Sequence, residues 1–319
     1  AGFTDAKCRL WSVATASMCL AALWFATRPY KGIVHDARLY AVQALHRLNP
    51  ETYSNDLYFA FGSQDSFSLF TVFYAPIVAL LGPGTAHAVV TGIGILCWLP
   101  ALVYMTRSLF GPGRPALLAA AAVLVLNPYY GALSVFSYGE PFATPRIFAE
   151  AFVMAALAES LRRRLWIAGI SFACATALHP LMALPGIAVI ALLFLPWHRG
   201  LQYAFISVAL IGGSLALLGV EPFVRATLQF DNTWFDIINS RVGYALLSNW
   251  GWRSLFESVL PLTAMAMAFK LGSKLQRRFI SAILLVTIAG LILTFLGGDL
   301  ARNVLIVNLQ PWRALWLLT

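Results

Sequence analysis

Long apolar stretches recur along the whole chain and are separated by short basic turns. A helix that crosses ~30 Å of hydrocarbon needs about 20 predominantly apolar residues. Charged residues make up only 11% of the chain, whereas a soluble domain carries about 25%. Too little polar surface remains to cover a water-exposed fold, so the sequence predicts an all-α, polytopic transmembrane helix bundle. The nine predicted spans are residues 10–28, 87–106, 115–135, 148–161, 166–179, 181–197, 203–220, 255–270 and 279–298.

The placement of basic residues predicts which side of the membrane each loop faces. Basic clusters in the turns 107–114, 162–164, 198–199 and 270–278 are typical of cytoplasmic loops. Because Lys7 and Arg9 also place the N-terminus inside, the first helix runs outward. The same positive charges explain the net charge of +9 without nucleic acid, and we expect no nucleic-acid partner.

Successive loops of a spanning helix bundle alternate between the two sides of the membrane. With the first helix running outward and the turn 107–114 inside, residues 29–86 are predicted to form one extracytoplasmic region. A short apolar stretch within it, 67–81, contains Pro76 and is predicted to be re-entrant rather than spanning. Alternation also places the polar segments 136–147, 221–252 and 299–313 on the outer face.

We expect residues 1–319 to form a single transmembrane domain in contact with membrane lipid. Residues 314–319 enter another apolar stretch, which predicts the start of a tenth span. The sequence therefore predicts that the chain is a fragment of a longer protein.

The first outer region is predicted to open with an amphipathic helix over residues 36–48. Its apolar residues, Leu39, Val42, Leu45 and Leu48, recur every third position, which favours a helix lying along the membrane surface. Asn49 and Pro50 end this helix, and residues 51–61 are predicted to form a second short helix.

Asp36 stands at the start of the predicted surface helix and has two interpretations. Aspartate is a preferred N-cap, and a carboxylate at the membrane boundary can also act as a general base. The two roles are compatible, and the sequence leaves both open.

Further polar residues of interest lie in the other outer loops. Glu140 and Arg146 flank a stiff turn with two prolines, where they either pair with each other or act in a site. Glu150 follows one turn inside the next helix, where an ionisable group is a functional hypothesis. His179 precedes a proline and is either a hydrogen-bonded turn residue or a ligand.

The sequence carries no Walker loop, dinucleotide-binding glycine motif or zinc-protease motif. Scattered histidines and cysteines disfavour zinc, whereas carboxylates together with phosphate oxygens can hold Mg²⁺ or Mn²⁺. Near the C-terminal end, Arg302 and Arg313 either extend toward the membrane surface as solvated charges or bind a lipid phosphate.

An outward first helix followed by a long outer loop with an early acidic residue resembles the GT-C class of membrane glycosyltransferases. Residues 35–40 read His-Asp-Ala-Arg-Leu-Tyr, which looks like the acidic motif of the first loop in that class. Glu140 falls where the second acidic residue is found, and the segment 67–81 is similar to the membrane-embedded part of the first loop. This sequence departs from the commoner paired form because Asp36 is followed by Ala37.

The resemblance implies an enzyme that transfers a sugar from a polyprenyl-phosphate carrier to an acceptor at the extracytoplasmic face of a bacterial plasma membrane. It makes Asp36 the base and Glu140 its support or a metal ligand. A second group of residues would contact substrate, namely Arg38, Tyr40, Arg146, His179, Arg302 and Arg313. Two alternatives remain, a lipid or small-molecule transporter or flippase, and a non-catalytic membrane scaffold.

Overall fold

The computed structural model of the chain describes residues 2–60, 63–126, 128–195, 199–220 and 223–318. The end of the predicted span 181–197, residue 198 of a basic turn and the start of the outer region 221–252 lie outside the described residues. Within the described residues almost all regular structure is helical. The one sheet there is an antiparallel pair of two-residue strands, β1 (Tyr129–Tyr130) and β2 (Phe136–Ser137). The prediction of an all-α fold is confirmed.

The helices, in chain order, are α1 (Gly2–Thr27), α2 (Ala37–Leu48), α3 (Leu57–Ala60), α4 (Phe70–Phe110), α5 (Arg114–Val125), α6 (Pro145–Leu161), α7 (Leu165–Leu178), α8 (Pro180–Phe194), α9 (Arg199–Leu217), α10 (Asn232–Arg241), α11 (Trp252–Leu271), α12 (Lys274–Leu293) and α13 (Val304–Leu309). Short 3₁₀ helices lie at Pro50–Tyr53, Gln64–Phe67, Phe223–Thr227, Gly243–Ala245, Leu247–Asn249 and Pro311–Leu317. A π-helix, Thr294–Leu300, continues α12.

Every predicted span overlaps a helix, but helix length supports fewer spans than predicted. Among the described residues three helices are long and apolar enough to cross a membrane: α4, α11, and α12 with its π-helical extension. By contrast α5, α7 and α8 have 12, 14 and 15 residues. At ~1.5 Å per residue such helices are shorter than the ~30 Å of hydrocarbon. The structure therefore gives three candidate spans where the sequence predicts nine.

The predicted span 115–135 is wrong in its second half. Helix α5 ends at Val125, β1 occupies part of the remaining residues, and β2 follows directly after them. Leu126 is already extended, with φ −68° and ψ 160°. Pro128 favours this end of the helix, because a proline has no backbone N–H with which to continue the helical hydrogen bonds. Hydropathy alone does not predict the end of the helix, since the residues that follow are also mostly apolar.

Helix α4 is interrupted where the sequence separates a re-entrant segment from a span. Gly82 has φ 71° and ψ 159°, a conformation outside the helical region. The break divides the 41-residue element into a short first part that ends at Gly82 and a longer second part. The predicted boundary between 67–81 and 87–106 therefore matches a break in the helix.

Helix α2 forms where the surface helix is predicted, but a different face of it packs against protein. Tyr40, Ala41 and Ala44 are buried, whereas Leu39 and Leu48 are half-buried and exposed, respectively. Tyr40 and Ala44 join a hydrophobic cluster with residues of α4 such as Phe70. Of the predicted stripe, Leu45 is half-buried and packs against this cluster, so the protein-facing side of α2 overlaps the stripe only in part.

By their internal contacts the residues divide into two compact units, a finer division than the single domain predicted. The first unit is Ala1–Pro128 with Tyr138–Leu184, and the second is Tyr129–Ser137 with Pro185–Thr319.

In the first unit α6 packs against α4 and α7. Gly94 of α4 permits this approach, since a Cβ there would lie 2.8 Å from Ile147 of α6. The turn between α7 and α8 is tied to the start of α4, because Ser68 Oγ donates to the Leu178 carbonyl at 2.6 Å.

In the second unit Trp312 is fully buried at the centre of an aromatic cluster with Tyr130, Phe136, Tyr244 and Trp250. The predicted start of a tenth span falls in the adjoining 3₁₀ helix, Pro311–Leu317, rather than in an α-helix. The start of a tenth span therefore stays a prediction.

Candidate functional site

Asp36, Glu140 and Arg146 form one ionic cluster in the first unit, here called the carboxylate–arginine triad. Arg146 Nη1 donates to Asp36 Oδ2 at 2.6 Å. On its other side, Arg146 Nε donates to both oxygens of Glu140 at 3.0 Å, and Nη2 lies 2.7 Å from Glu140 Oε1. A single guanidinium therefore joins the two acidic residues that the sequence singles out. Of the alternatives that the sequence leaves open for Glu140 and Arg146, the pairing is present in the structure.

The backbone around Asp36 directs its side chain toward Arg146. His35 has φ 51°, in the left-handed region that few non-glycine residues adopt. Asp36 then occupies the N-cap position of α2 but makes no capping hydrogen bond with its side chain. Its carboxylate is engaged by Arg146 and lies 3.2 Å from His35 Nδ1. Side-chain capping is therefore not the role of Asp36 in this structure.

Arg146 is positioned by the start of α6. Thr144 is extended (φ −141°, ψ 160°), as expected for a residue that precedes a proline, and Pro145 occupies the first turn of the helix. Thr144 Oγ1 also donates to Glu140 Oε2 at 2.6 Å. The loop and the first turn of α6 thus hold Glu140 from two sides.

Glu150 fixes the loop that carries Glu140. Its Oε2 accepts hydrogen bonds from Trp98 Nε1 of α4 and from the Gly139 N–H, each at 2.8 Å. Gly139 itself lies against aromatic rings, since a Cβ there would be 2.8 Å from Trp24. On the other side of the loop, buried His87 accepts a bond from the Ala143 N–H at 3.3 Å. The loop between β2 and α6 is therefore fixed on both sides of Glu140. Glu150 of α6 binds it at Gly139, and His87 of α4 binds it at Ala143.

Burial differs sharply within the triad. The side chains of Glu140 and Arg146 are 1% and 2% exposed, whereas that of Asp36 is 24% exposed. Two carboxylates and one guanidinium give these three side chains a net negative formal charge. Since Asp36 is the solvent-exposed residue of the triad, a molecule that binds at the triad contacts the Asp36 carboxylate first.

The residues present do not fit a divalent cation between the two carboxylates. Glu140 already has Thr144 and Arg146 as partners, and the Arg146 guanidinium occupies the position between Glu140 and Asp36. Among the described residues there is no group of three or more His, Cys, Asp or Glu side chains that would hold a metal ion. No step of the chemistry is therefore assigned to Mg²⁺ or Mn²⁺.

The other predicted substrate contacts in the first unit are placed differently. Tyr40 is 3% exposed and packs edge-on against Phe70, with ring centroids 5.3 Å apart, so it is a core residue here. Arg38 is exposed on α2, two residues from Asp36. His179 is half-buried in the turn after α7, the turn that Ser68 holds.

Arg302 and Arg313 belong to the second unit and have partners within it. Arg302 Nη1 donates to Asn232 Oδ1 at 2.6 Å, and its guanidinium lies 4.4 Å from the ring centroid of Phe235. Arg313 is buried, donates to Gln310 Oε1 at 2.7 Å and stacks over Phe136 at 4.0 Å. Their role toward a phosphate stays a prediction.

Comparison with known proteins assigns no family to this site. No family model, curated protein or solved structure matches the chain. The resemblance to GT-C glycosyltransferases therefore depends on the residues quoted from the sequence, and function is argued from the site itself.

Sequence reasoning missed two neighbours of the triad. His35 was recognised only as part of a motif, although its Nδ1 lies 3.2 Å from Asp36 Oδ1. Thr144 was not considered, although it donates directly to Glu140. Each lies within four residues of a predicted acid, so proximity in sequence was the available signal.

Proposed function

We propose that this chain is a membrane glycosyltransferase that moves a sugar from a polyprenyl-phosphate carrier to a hydroxyl acceptor at the extracytoplasmic face. The observation that carries the proposal is the contact of Asp36 and Glu140 with one guanidinium, that of Arg146. Two acids from separate predicted outer loops thus belong to one cluster, and only one of them is open to solvent.

The triad suits general-base chemistry. The acceptor oxygen attacks the anomeric carbon of the sugar, and its proton passes to the Asp36 carboxylate. The bond between that carbon and the carrier phosphate breaks, and the electron pair leaves with the phosphate. Arg146 and Glu140 are positioning residues, because they fix the orientation of Asp36 and are themselves buried. Loss of a positioned general base lowers a rate by about 10²–10⁴-fold.

A departing phosphate needs positive charge close to the base. Arg38 supplies an exposed guanidinium two residues after Asp36. By resemblance to the GT-C class, Arg302 or Arg313 would grip the carrier phosphate, and His179 would contribute to substrate binding.

The proposal includes a topology of nine spans and the start of a tenth in a bacterial plasma membrane, with residues 29–86 outside. Three helices of spanning length support a membrane protein. The number of spans and the orientation of the loops are inferred from the apolar stretches and the basic turns of the sequence. The break in α4 at Gly82 supports the separation of the re-entrant segment from the span.

Turnover of a lipid-linked sugar tests the proposal. Membranes containing the wild-type protein, Asp36→Asn or Glu140→Gln are supplied with radiolabelled polyprenyl-phosphate sugars, and the glycan products are quantified. We expect product from the wild type, a severe loss in Asp36→Asn and a smaller loss in Glu140→Gln. Unchanged products in both variants would refute the assignment of the site.

The interruption of α4 also favours a second candidate, a flippase for lipid-linked sugars, because broken helices are a feature of transporters. The two functions differ in their product. A flippase moves the labelled lipid across a proteoliposome bilayer with its sugar still attached, whereas the transferase releases carrier phosphate.

A further inference from the structure

A groove of about 810 Å³ opens in the second unit, and its lining includes no residue of the triad. Its size lies within the ~300–1,000 Å³ range of small-molecule sites. The lining is formed by parts of α8, α11 and α12, namely Leu192, Leu193, Phe269, Lys274, Arg277, Arg278, Ser281, Ala282 and Leu285. No acidic side chain is among the described residues that line it.

The charges of the groove are gathered at one end. Lys274, Arg277 and Arg278 lie in the first turns of α12, directly after the turn that ends α11. Arg278 Nη2 donates to the Leu193 carbonyl at 3.2 Å, and Arg277 Nε donates to the Gly272 carbonyl at 2.7 Å. Each of these bonds uses one of the five N–H donors of a guanidinium. The two arginines are therefore held at the groove with further donors to offer.

The start of α12 reinforces this positive field. Ser273 and Gln276 form a capping box, so the helix begins at a defined position beside the cations. A helix N-terminus carries about half a positive charge, which favours an anion at this end.

Apart from Ser281, the remainder of the lining is apolar, and its part on α12 continues along the helix away from the cations. From Lys274 to Leu285 the helix rises about 16 Å. Ala282 and Leu285 from α12, together with Leu193 and Phe269, provide a surface that suits hydrocarbon. Both α11 and α12 are candidate membrane spans, so lipid has access to this surface.

We propose that this groove binds one anionic phospholipid. The headgroup phosphate lies between Lys274, Arg277 and Arg278, and one acyl chain lies against Phe269 and Leu285. Charge complementarity selects an anionic headgroup, and the apolar continuation selects a lipid over a free phosphate. The proposal is independent of glycosyl transfer and requires only that the protein resides in a membrane.

Native mass spectrometry of the purified chain in detergent tests the proposal. Phosphatidylglycerol or phosphatidylcholine is titrated in, and the first bound lipid is quantified. We expect phosphatidylglycerol to bind at least about tenfold more tightly, because each Lys or Arg near an anionic lipid contributes about 1 kcal/mol. Equal affinity for the two lipids would overturn the proposal.

Two variants distinguish binding in the groove from non-specific attraction between an anionic lipid and the positive charge of the protein. The triple variant Lys274→Gln/Arg277→Gln/Arg278→Gln is expected to lose the preference for phosphatidylglycerol. Ser281→Trp keeps every cation but fills the groove, and we expect the same loss. Persistent preference in either variant would contradict binding in the groove.

The matched control removes the same charge elsewhere. Arg107, Arg114 and Arg163 are exposed and lie in turns predicted to face the cytoplasm, so Arg107→Gln/Arg114→Gln/Arg163→Gln should bind phosphatidylglycerol as the wild type does. If the groove triple misfolds, Lys274→Gln/Arg277→Gln, which retains the Arg278 bond to Leu193, replaces it. Displacement of the lipid by equimolar inorganic phosphate would show that only the anion is recognised and would overturn the lipid assignment.

Discussion

Glu150 lies in a predicted span, and its contacts point to a structural role. One carboxylate oxygen accepts from Trp98 and Gly139, and the other is buried with no hydrogen-bond partner among the described residues. Glu150→Gln keeps an oxygen that accepts both bonds, so we expect little change in Tm. Glu150→Leu leaves two buried donors unsatisfied, at a cost of about 1–3 kcal/mol each. Thermal unfolding in detergent measures the difference, and equal Tm values for the Leu variant and the wild type would contradict the anchoring role.

Asp65 predicts a pH dependence of stability. Burial raises the pKa of Asp65 above its ordinary value of 3.8, against the opposing effect of Arg47. The folded state therefore binds a proton more tightly than the unfolded state, so this residue's contribution to stability falls as pH rises from 3.8 through the raised pKa. We expect Asp65→Asn to gain Tm relative to the wild type as pH rises through that range.

The control for Asp65 is Asn55→Gln, which changes an exposed side chain without a titrating group in the same predicted outer region. Its Tm difference from the wild type should stay nearly constant across the same pH series. A constant difference for Asp65→Asn as well would show that burial does not govern the titration of this carboxylate.

At the scale of elements, the break in α4 depends on one glycine. Gly82 has φ 71° and ψ 159°, a region that is essentially restricted to glycine and costs other residues about 1–3 kcal/mol. We expect Gly82→Ala to lower the unfolding free energy by that amount. Gly84→Ala is the matched control, because an added Cβ meets nothing within 4 Å and the residue lacks a positive φ. Equal unfolding free energies of the two variants in a denaturant titration would show that the break in α4 does not depend on glycine at position 82.

Helix positions could be predicted from the sequence, whereas helix ends and buried faces could not. Apolar stretches mark α1, α11 and α12 because lipid and protein interiors both select apolar residues. That same equivalence hides which face of α2 packs inward: Tyr40 is buried on α4 while the leucines remain more exposed. Local hydropathy also overlooked the end of α5 at Val125, which is followed by the β1–β2 pair.

The candidate site was predicted in part. Asp36 and Glu140 were chosen from loop position and resemblance, and the pairing of Glu140 with Arg146 from proximity. The bridge from Arg146 to Asp36 joins residues 110 apart in the chain. Contacts of that kind follow from the packing of α2, α4 and α6, which no local pattern encodes.

At the scale of the whole molecule, the proposed topology predicts two sides with different accessibility. In a background whose four cysteines are replaced by alanine, Asp56→Cys and Arg114→Cys each introduce one exposed thiol. A membrane-impermeant maleimide added to intact cells should label Asp56→Cys and leave Arg114→Cys unlabelled until the membrane is opened. Labelling of both in intact cells would place the basic turn on the outer face and contradict the topology.

The central claim is that Asp36 is the base of a glycosyl transfer. Its most direct test is the rate of carrier-phosphate release by purified protein in proteoliposomes supplied with polyprenyl-phosphate sugar and acceptor. We predict a rate about 10²–10⁴-fold lower for Asp36→Asn and a near wild-type rate for Asp56→Asn, which alters an exposed acid of the same outer region. A wild-type rate in folded Asp36→Asn would contradict the account.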